Sequence, residues 1–296
     1  EVKSNSNVSK SLTGEVAGVN VINTSGQPGT VATIRIRGFG SVNGNRSPLY
    51  VVDGVAFEGS INSINPNDIE STTILKDATA TAIYGSRGAN GVILINTKSG
   101  KKGQSNVEFD IKTGFNANFM PRNEVIESPE EYIAISWNAM YNKGVATSEP
   151  DPVAYANANL FGGQSAITPQ YNMWNVTDGS QLIDPNTGEV RPGVTRKYSP
   201  ENWEDYGFNS SYRTEANVRF SGGTENAKYF SSIGYLDDEG YIINSDYKRY
   251  SARLNLTQDV KTWLKTNVNI GYTNSGYNNN GQSSDSGSIF WFVDNI

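Results

Sequence analysis

The sequence predicts an α+β domain over residues 1–103, followed over residues 104–296 by long alternating β-strands. Three observations carry this prediction. The first hundred residues mix short apolar runs with closely spaced Gly, Pro and Asx turn signals. The later region alternates apolar and polar residues over stretches longer than the ~5–6 residues usual for a soluble strand. The composition, with 30 Gly and 16 Tyr beside abundant Asn and Ser, favours strands and turns over helices.

In chain order, residues 16–22 alternate apolar positions and read as a strand. Residues 33–37 read as a second, with Ile34 and Ile36 on one face and Arg35 and Arg37 on the other. Residues 48–52 are nearly all apolar, as in a strand buried on both sides. Asp53-Gly54 is a turn signal, and residues 55–57 supply a hairpin partner. Asn67-Asp-Ile-Glu70 offers cap and acidic first-turn residues for a short helix. A second helical piece is expected over 77–84, ended by Gly85 and Gly88. Residues 91–98 form a closing strand, and Ser99-Gly-Lys-Lys-Gly103 is a linker.

Beyond the linker, residues 107–119 place Val107, Phe109, Ile111, Phe115 and Phe119 on one face and Glu108, Asp110, Lys112, Asn116 and Asn118 on the other. Four more stretches behave alike: 211–220, 228–236, 249–256 and 264–272. In the fourth of these five strands, Tyr250, Ala252, Leu254 and Leu256 oppose Arg253 and Asn255. Aromatic residues lie near several strand ends (Tyr212, Tyr235, Tyr250, Trp263, Tyr272), as in the girdles of membrane barrels. Alternation alone suits a soluble β-sandwich equally well. Between the first and second of these strands, Ser128-Pro-Glu-Glu131 is a capping box with Pro at the first helical position. It opens a helix to about residue 142, with Tyr132, Ile135, Ala139 and Met140 on one side. Residues 145–200 are rich in Pro, Asn, Gly and Asp and read as a long loop. A loop of this length in a compact domain points to function.

Composition narrows the function. The chain has no Cys and no His. This excludes disulfides, thiolate metal sites, cysteine nucleophiles, Ser-His-Asp triads and imidazole acid–base chemistry. No paired carboxylates, metal-spaced ligands or phosphate loop stand out, so neither a catalytic residue nor a cofactor is expected. Asp184-Pro-Asn-Thr-Gly-Glu189 is too short for a calcium loop and reads as a turn. A net charge of -6 argues against nucleic acid. That charge is uneven: residues 1–103 hold 10 Lys and Arg against 7 Asp and Glu, and the remainder holds 14 against 23. No apolar run is long enough for a transmembrane helix, which leaves a membrane β-barrel open. Residues 1–10 contain no signal-peptide core, so the chain is either cytosolic or has had a leader removed.

Four ordered motifs carry a family resemblance. They are Ser11-Leu-Thr-Gly-Glu-Val-Ala-Gly-Val-Asn-Val21, Ile34-Arg-Ile-Arg-Gly38, Leu49-Tyr-Val-Val-Asp-Gly54, and Ile74-Leu-Lys-Asp-Ala-Thr-Ala-Thr-Ala-Ile-Tyr-Gly-Ser-Arg-Gly-Ala-Asn-Gly-Val-Ile-Leu-Ile-Asn-Thr97. Together they resemble the plug domain of TonB-dependent outer-membrane transporters, and within that superfamily the SusC/RagA family of Bacteroidota. The segment from Tyr229 to Leu264 resembles the early barrel of the same family more loosely.

The resemblance implies a plug domain (1–103) and the N-terminal part of an outer-membrane β-barrel (104–296), with a long extracellular loop at about 120–205. A barrel of this kind has roughly 22 strands, and five are marked here, so the chain reads as a piece of a longer protein. The TonB box is expected upstream of residue 1. The implied activity is import of oligosaccharides or peptides. The implied partners are a SusD-like surface lipoprotein acting as a lid, the TonB–ExbB–ExbD complex, outer-membrane lipid, and a second copy in a dimer of transporter–lipoprotein pairs. Siderophore or cobalamin import on the same fold is the alternative, followed by a soluble all-β glycan-binding or adhesion protein.

Arg35, Arg37, Asp53, Gly54, Lys76, Asp77, Tyr84 and Arg87 fall at signature positions and are expected to pack the plug or bind it to the barrel. Arg35 and Arg37 are candidates for pairing with barrel carboxylates or touching substrate, or simply form a solvated strand face, and Asp53-Gly54 is also explained as a simple turn. Tyr171, Trp174 and Trp203 are candidates for stacking on sugar rings, or for ordinary loop packing.

Overall fold

The computed structural model describes residues 7–23, 25–38, 46–77, 82–116, 126, 128–162 and 167–279. The chain divides into two compact units, one of Glu1–Asn118 with Trp203–Ile296 and one of Phe119–Asn202.

The first unit opens with a short helix, α1 (Val8–Ser11), whose cap Asn7 accepts a hydrogen bond from the Ser9 amide. Strands β1 (Val19–Ile22) and β2 (Thr33–Ile36) form an antiparallel pair. β2 ends where Arg37 and Gly38 turn into positive φ. Strands β3 (Leu49–Val52), β4 (Val55–Phe57), β5 (Ile69–Leu75) and β6 (Val92–Thr97) form a second sheet in the order β4-β3-β6-β5. β3 and β6 are its parallel centre, which is why both read as nearly continuous apolar runs. Asp53 and Gly54 both have positive φ (49° and 86°), the geometry of a two-residue hairpin turn that Asp-Gly tolerates. Ile34, Ile36, Ile61, Ile64, Ile93 and Ile95 pack with Val8 and Leu12 into one core.

Two predicted helices are corrected. Asn65 caps a single 3-10 turn, Pro66–Asp68, and the chain then enters β5 at Ile69. The β-branched run Thr72-Thr-Ile74 favours a strand over a longer helix. Residues 82–88 form 3-10 turns broken at Gly85 (φ 59°). The start of that predicted helix, 78–81, lies outside the described residues.

Five strands then form one antiparallel sheet in the order β11-β10-β9-β8-β7: β7 (Ser105–Asn116), β8 (Ser211–Gly223), β9 (Ala227–Glu239), β10 (Asp246–Lys261) and β11 (Leu264–Asn278). Register aligns the predicted apolar faces into continuous rows. Phe109 pairs with Val218, Val218 with Ile233, Ile233 with Ala252, and Ala252 with Tyr272. This apolar face is open: Phe109, Ile233 and Tyr272 are 65%, 63% and 64% exposed. The opposite face is covered by the N-terminal domain, and its buried residues include Ser211, Glu215, Asn217, Arg219, Arg249, Ser251 and Asn255. A soluble sandwich buries the apolar face; here the polarity is inverted. The end of the first predicted strand, 117–119, lies outside the described residues.

The second unit is a folded lobe. α2 (Pro129–Ala146) starts at the predicted cap, where the Ser128 hydroxyl accepts from the Glu131 amide. α3 (Pro152–Asn159) starts at Asp151, which caps two amides. α4 (Gly179–Leu182) is a single turn. Ile133, Trp137, Ala156, Leu160, Trp174, Leu182 and Ile183 form its core. The predicted apolar face of α2 is therefore corrected: Tyr132 and Ile135 are exposed, while Ile133 and Trp137 are buried. The expected long loop is likewise largely folded, because its scattered aromatic and aliphatic residues converge on this core. Asp184-Pro-Asn-Thr-Gly-Glu189 is a turn closed by hydrogen bonds between Asp184 and Glu189 and between Gly188 and Asp184.

Trp137 donates its indole N–H to Asn157 Oδ1 at 2.8 Å and stacks on Tyr141. Trp137→Ala is expected to destabilise the lobe by roughly 3–5 kcal/mol. Faster proteolysis within residues 119–202 of the full-length protein would show it.

Candidate functional site

The covered face of the five-stranded sheet and the N-terminal domain seated on it form the candidate site. The domain approaches through an Asx-rich stretch, Asn62 to Asp68, through the β3–β4 turn at Asp53 and through the end of β6, and Gln27 adds a bond to the Asn278 carbonyl of β11. Asn65 donates to Asn217 Oδ1 on β8 at 2.7 Å and reaches Ser251 Oγ on β10 at 3.4 Å. Asn67 donates to Glu215 Oε1 at 2.5 Å. Tyr247 and Arg249 of β10 donate to the Asn62 carbonyl, each at 3.0 Å. Thr273 of β11 donates to the Ser63 carbonyl at 2.9 Å. Gly234 leaves room for this approach, since a Cβ there would stand 2.4 Å from Asn65 Nδ2.

Charge is concentrated at Arg253 of β10. Its Nη1 lies 3.4 Å from Asp53 Oδ2 and its Nε 3.8 Å from Asp68 Oδ2, with side chains only 13%, 16% and 3% exposed. Asp53 also accepts from the Thr97 amide and hydroxyl, both at 2.8 Å, tying the β3–β4 turn to the end of β6. Burial raises the Asp68 carboxyl above the usual carboxylate range, and the nearby Ser232 hydroxyl and the Arg253 charge only partly oppose it. Burial also lowers the Lys98 ammonium, with Arg219 beside it adding to the effect. Tyr50, buried in the domain, is pushed up to about 12. On the wall itself, Arg219 is flanked by Glu108 and Asp110 of β7, and Arg213 pairs with Glu215 at 2.7 Å. Groups so matched across a covered polar face hold one surface against another; nothing among them is arranged as nucleophile and base.

The signature residues separate into two groups. Asp53 makes the contact with Arg253 described above, and Gly54 completes its turn. Arg37 pairs with Asp77 at 2.5 Å inside the N-terminal domain, both side chains exposed. The expected barrel carboxylate is therefore not its partner: positive φ at Arg37 ends β2 and turns the residue away from the strand direction. Lys76 donates to the Ala17 carbonyl at 2.8 Å, and Arg87 pairs with exposed Glu58 at 3.1 Å. Both contacts lie within the domain. Arg35 and Tyr84 are half-buried there. Among the aromatic candidates, Trp174 is corrected. It is 2% exposed in the core of the lobe and has no free ring face for a ligand. Tyr171 is 68% exposed, and Trp203 begins a short helix, α5 (Trp203–Gly207).

Asn62, Asn65, Asn67, Asp68 and Arg249 are contacts that the motifs did not reveal. Their signal was the density of Asx residues in one short stretch opposite a strand with three inward cations or amides.

Residues 1–92 match the family model of the TonB-dependent Receptor Plug Domain. The chain is 34% identical over 278 residues to TonB-dependent receptor SusC of Bacteroides thetaiotaomicron, covering 90% of this chain and 23% of that protein. It is 33% identical over 272 residues to TonB-dependent receptor P26 of Formosa agariphila, with the same coverages of 90% and 23%. Among solved structures it matches the RagAB peptide transporter with a TM-score of 0.67 at 29% identity, over 95% of this chain and 30% of that chain. It matches the RagAB peptide importer in its open-open state with a TM-score of 0.68 at 27% identity, over 99% and 31%. The chain thus spans about a quarter of the length of the curated relatives it matches.

Proposed function

Because the chain belongs to the SusC/RagA family of TonB-dependent outer-membrane transporters, we propose that the whole protein actively imports oligosaccharides or peptides across that membrane. The observation that carries the reading is the inverted sheet: apolar rows outward, a polar face inward, and a separate domain hydrogen-bonded across that polar face. An apolar band of this kind fits lipid. A plug held by polar contacts fits a lumen that must open.

In this reading residues 1–103 are the plug and 104–296 the first part of the barrel, with a long extracellular loop at about 120–205. The signature residues from Arg35 to Arg87 pack the plug or seat it on the wall. Exposed Tyr171, together with Trp203, is offered to substrate. A SusD-like lipoprotein closes the outer side, and TonB–ExbB–ExbD supplies the force. The RagAB relative is a peptide transporter by name, so peptides stand beside oligosaccharides as cargo.

Uptake of labelled oligosaccharide and peptide mixtures by cells carrying the full-length protein tests this. Uptake is expected to fall at least tenfold when TonB is removed. Undiminished uptake without TonB, or transport restricted to iron chelates or cobalamin, would overturn it.

A further inference from the structure

The seven residues between β6 and β7 have the composition of a flexible linker, yet they are fixed to the wall along their length. The chain crosses the ends of β10, β9 and β8 in turn before it enters β7. At β10, Asn255 donates its side-chain amide to Thr97 Oγ1 at 2.7 Å and to the Lys98 carbonyl at 2.8 Å. At β9 and β8, Gly100 is buried against bare backbone. A Cβ there would run into the carbonyl oxygens of Gly222 and Tyr229 and stand 2.7 Å from the Tyr229 amide nitrogen. Gly223 of β8 matches it from the wall side, since its own Cβ would stand 3.0 Å from the Lys101 carbonyl oxygen. Gly103 then turns the chain at a φ of 69°, which glycine adopts without steric cost. Its amide donates to the Gly223 carbonyl, and the Gly223 amide donates to the Gln104 carbonyl, both at 3.0 Å. β7 begins at the next residue, with Ser105 paired to Gly222.

A glycine-rich linker left to itself behaves as a random coil and calls for none of these contacts. Their arrangement decides where a load on the N-terminal domain goes. A pull that strips strands from that domain reaches Thr97 before it reaches β7. There it meets the two Asn255 bonds, the backbone packing of Gly100 and the paired bonds to Gly223. These contacts sit on three strands and share the load. A slack linker would pass the same pull straight to Ser105. The β7–β8 ladder would then open from its end, one pair of bonds at a time.

We propose that residues 97–104 are a strap that fixes the C-terminal end of the plug to the wall and keeps force on the plug from reaching β7, with Gly100 as the positioning residue. The proposal rests on the transport reading, which supplies the force, and it names the fixed point about which the plug is displaced.

The test pulls the full-length transporter, held in a lipid bilayer, from an N-terminal tag in a single-molecule force experiment. In wild type a separate force peak is expected once the plug has extended. Roughly 25 Å of chain should then be released before any barrel strand yields, the length of residues 98–104 at ~3.3–3.6 Å each. Gly100→Val should abolish the peak. Asn255→Ala should lower its force to about half, and it carries the test alone if Gly100→Val fails to fold. Lys102→Ala, on the same strap with an exposed side chain, should leave the peak unchanged. Extension that runs from the plug into β7 without a separate peak in wild type would overturn the proposal. So would an Asn255→Ala trace like wild type, or an equal loss in Lys102→Ala. TonB-dependent uptake by cells carrying the same wild-type protein separates failure of the strap from failure of the transport reading.

Discussion

A barrel carrying Ile233→Arg is expected to reach the membrane in folded form at a small fraction of the wild-type amount. Ile233 sits mid-strand in β9, 63% exposed, in register with Val218 and Ala252 in the central apolar row. An Arg on the lipid face near the midplane costs roughly 2–4 kcal/mol. The same sheet supplies its control in Lys112 of β7, which pairs with Glu215 on the polar-facing set. Lys112→Gln should leave assembly nearly unchanged. Heat-dependent gel mobility of the full-length protein in membrane fractions reads both variants. Equal tolerance at the two positions would contradict the facing assigned to the sheet.

Arg253→Met is expected to unseat the plug from β10. It leaves Asp68, 3% exposed as a side chain, and Asp53 without their shared cation. Removing one partner of a buried ion pair costs on the order of 3–5 kcal/mol, and the 3.4 and 3.8 Å spacings place this case toward the lower end. Hydrogen exchange at the Thr97 amide, which donates to Asp53, reports the loosening.

The effect is pH-dependent with a definite sign. The Asp68 carboxyl is raised in the folded protein by burial, so its contribution to stability is complete below the ordinary carboxylate range. That contribution is lost as pH rises through the raised value. Loss of Arg253 raises it further. The penalty should therefore be largest near neutrality and shrink on acidification, and Asp68→Asn should relieve it. A penalty independent of pH would mean that Arg253 acts by packing alone.

Much of the architecture is written in local periodicity. The alternation of Val107, Phe109 and Ile111 with Glu108, Asp110 and Lys112 assigns faces correctly, because a period of two leaves one choice of side. The continuous run through residues 48–52 likewise marks a central strand. Periodicity fails where long-range contacts decide. Asn67 to Glu70 carries helix-start residues, yet the chain joins β6 as a strand, because the antiparallel ladder outweighs a weak local preference. Trp174 lies in a stretch with the composition of a loop, and only the convergence of α2 and α3 makes it core. The docking residues were half-legible. Arg253 and Asn255 fall on the inward face by counting, but their partners lie about 150–200 residues away in sequence, a pairing no spacing rule reaches.

The seam between plug and wall is made of amides, carboxylates and hydroxyls, not of methyl groups, and this gives it a distinct thermal character. Parting two apolar surfaces raises the heat capacity, whereas exposing polar surface lowers it slightly. Withdrawal of the plug from β8–β10 would therefore carry a small heat-capacity change, while melting of its isoleucine core would carry a large positive one. Water can take over the contacts of Asn65, Asn67 and Arg249 one at a time. The plug can in this way be loosened in steps that never bare a greasy surface inside the lumen.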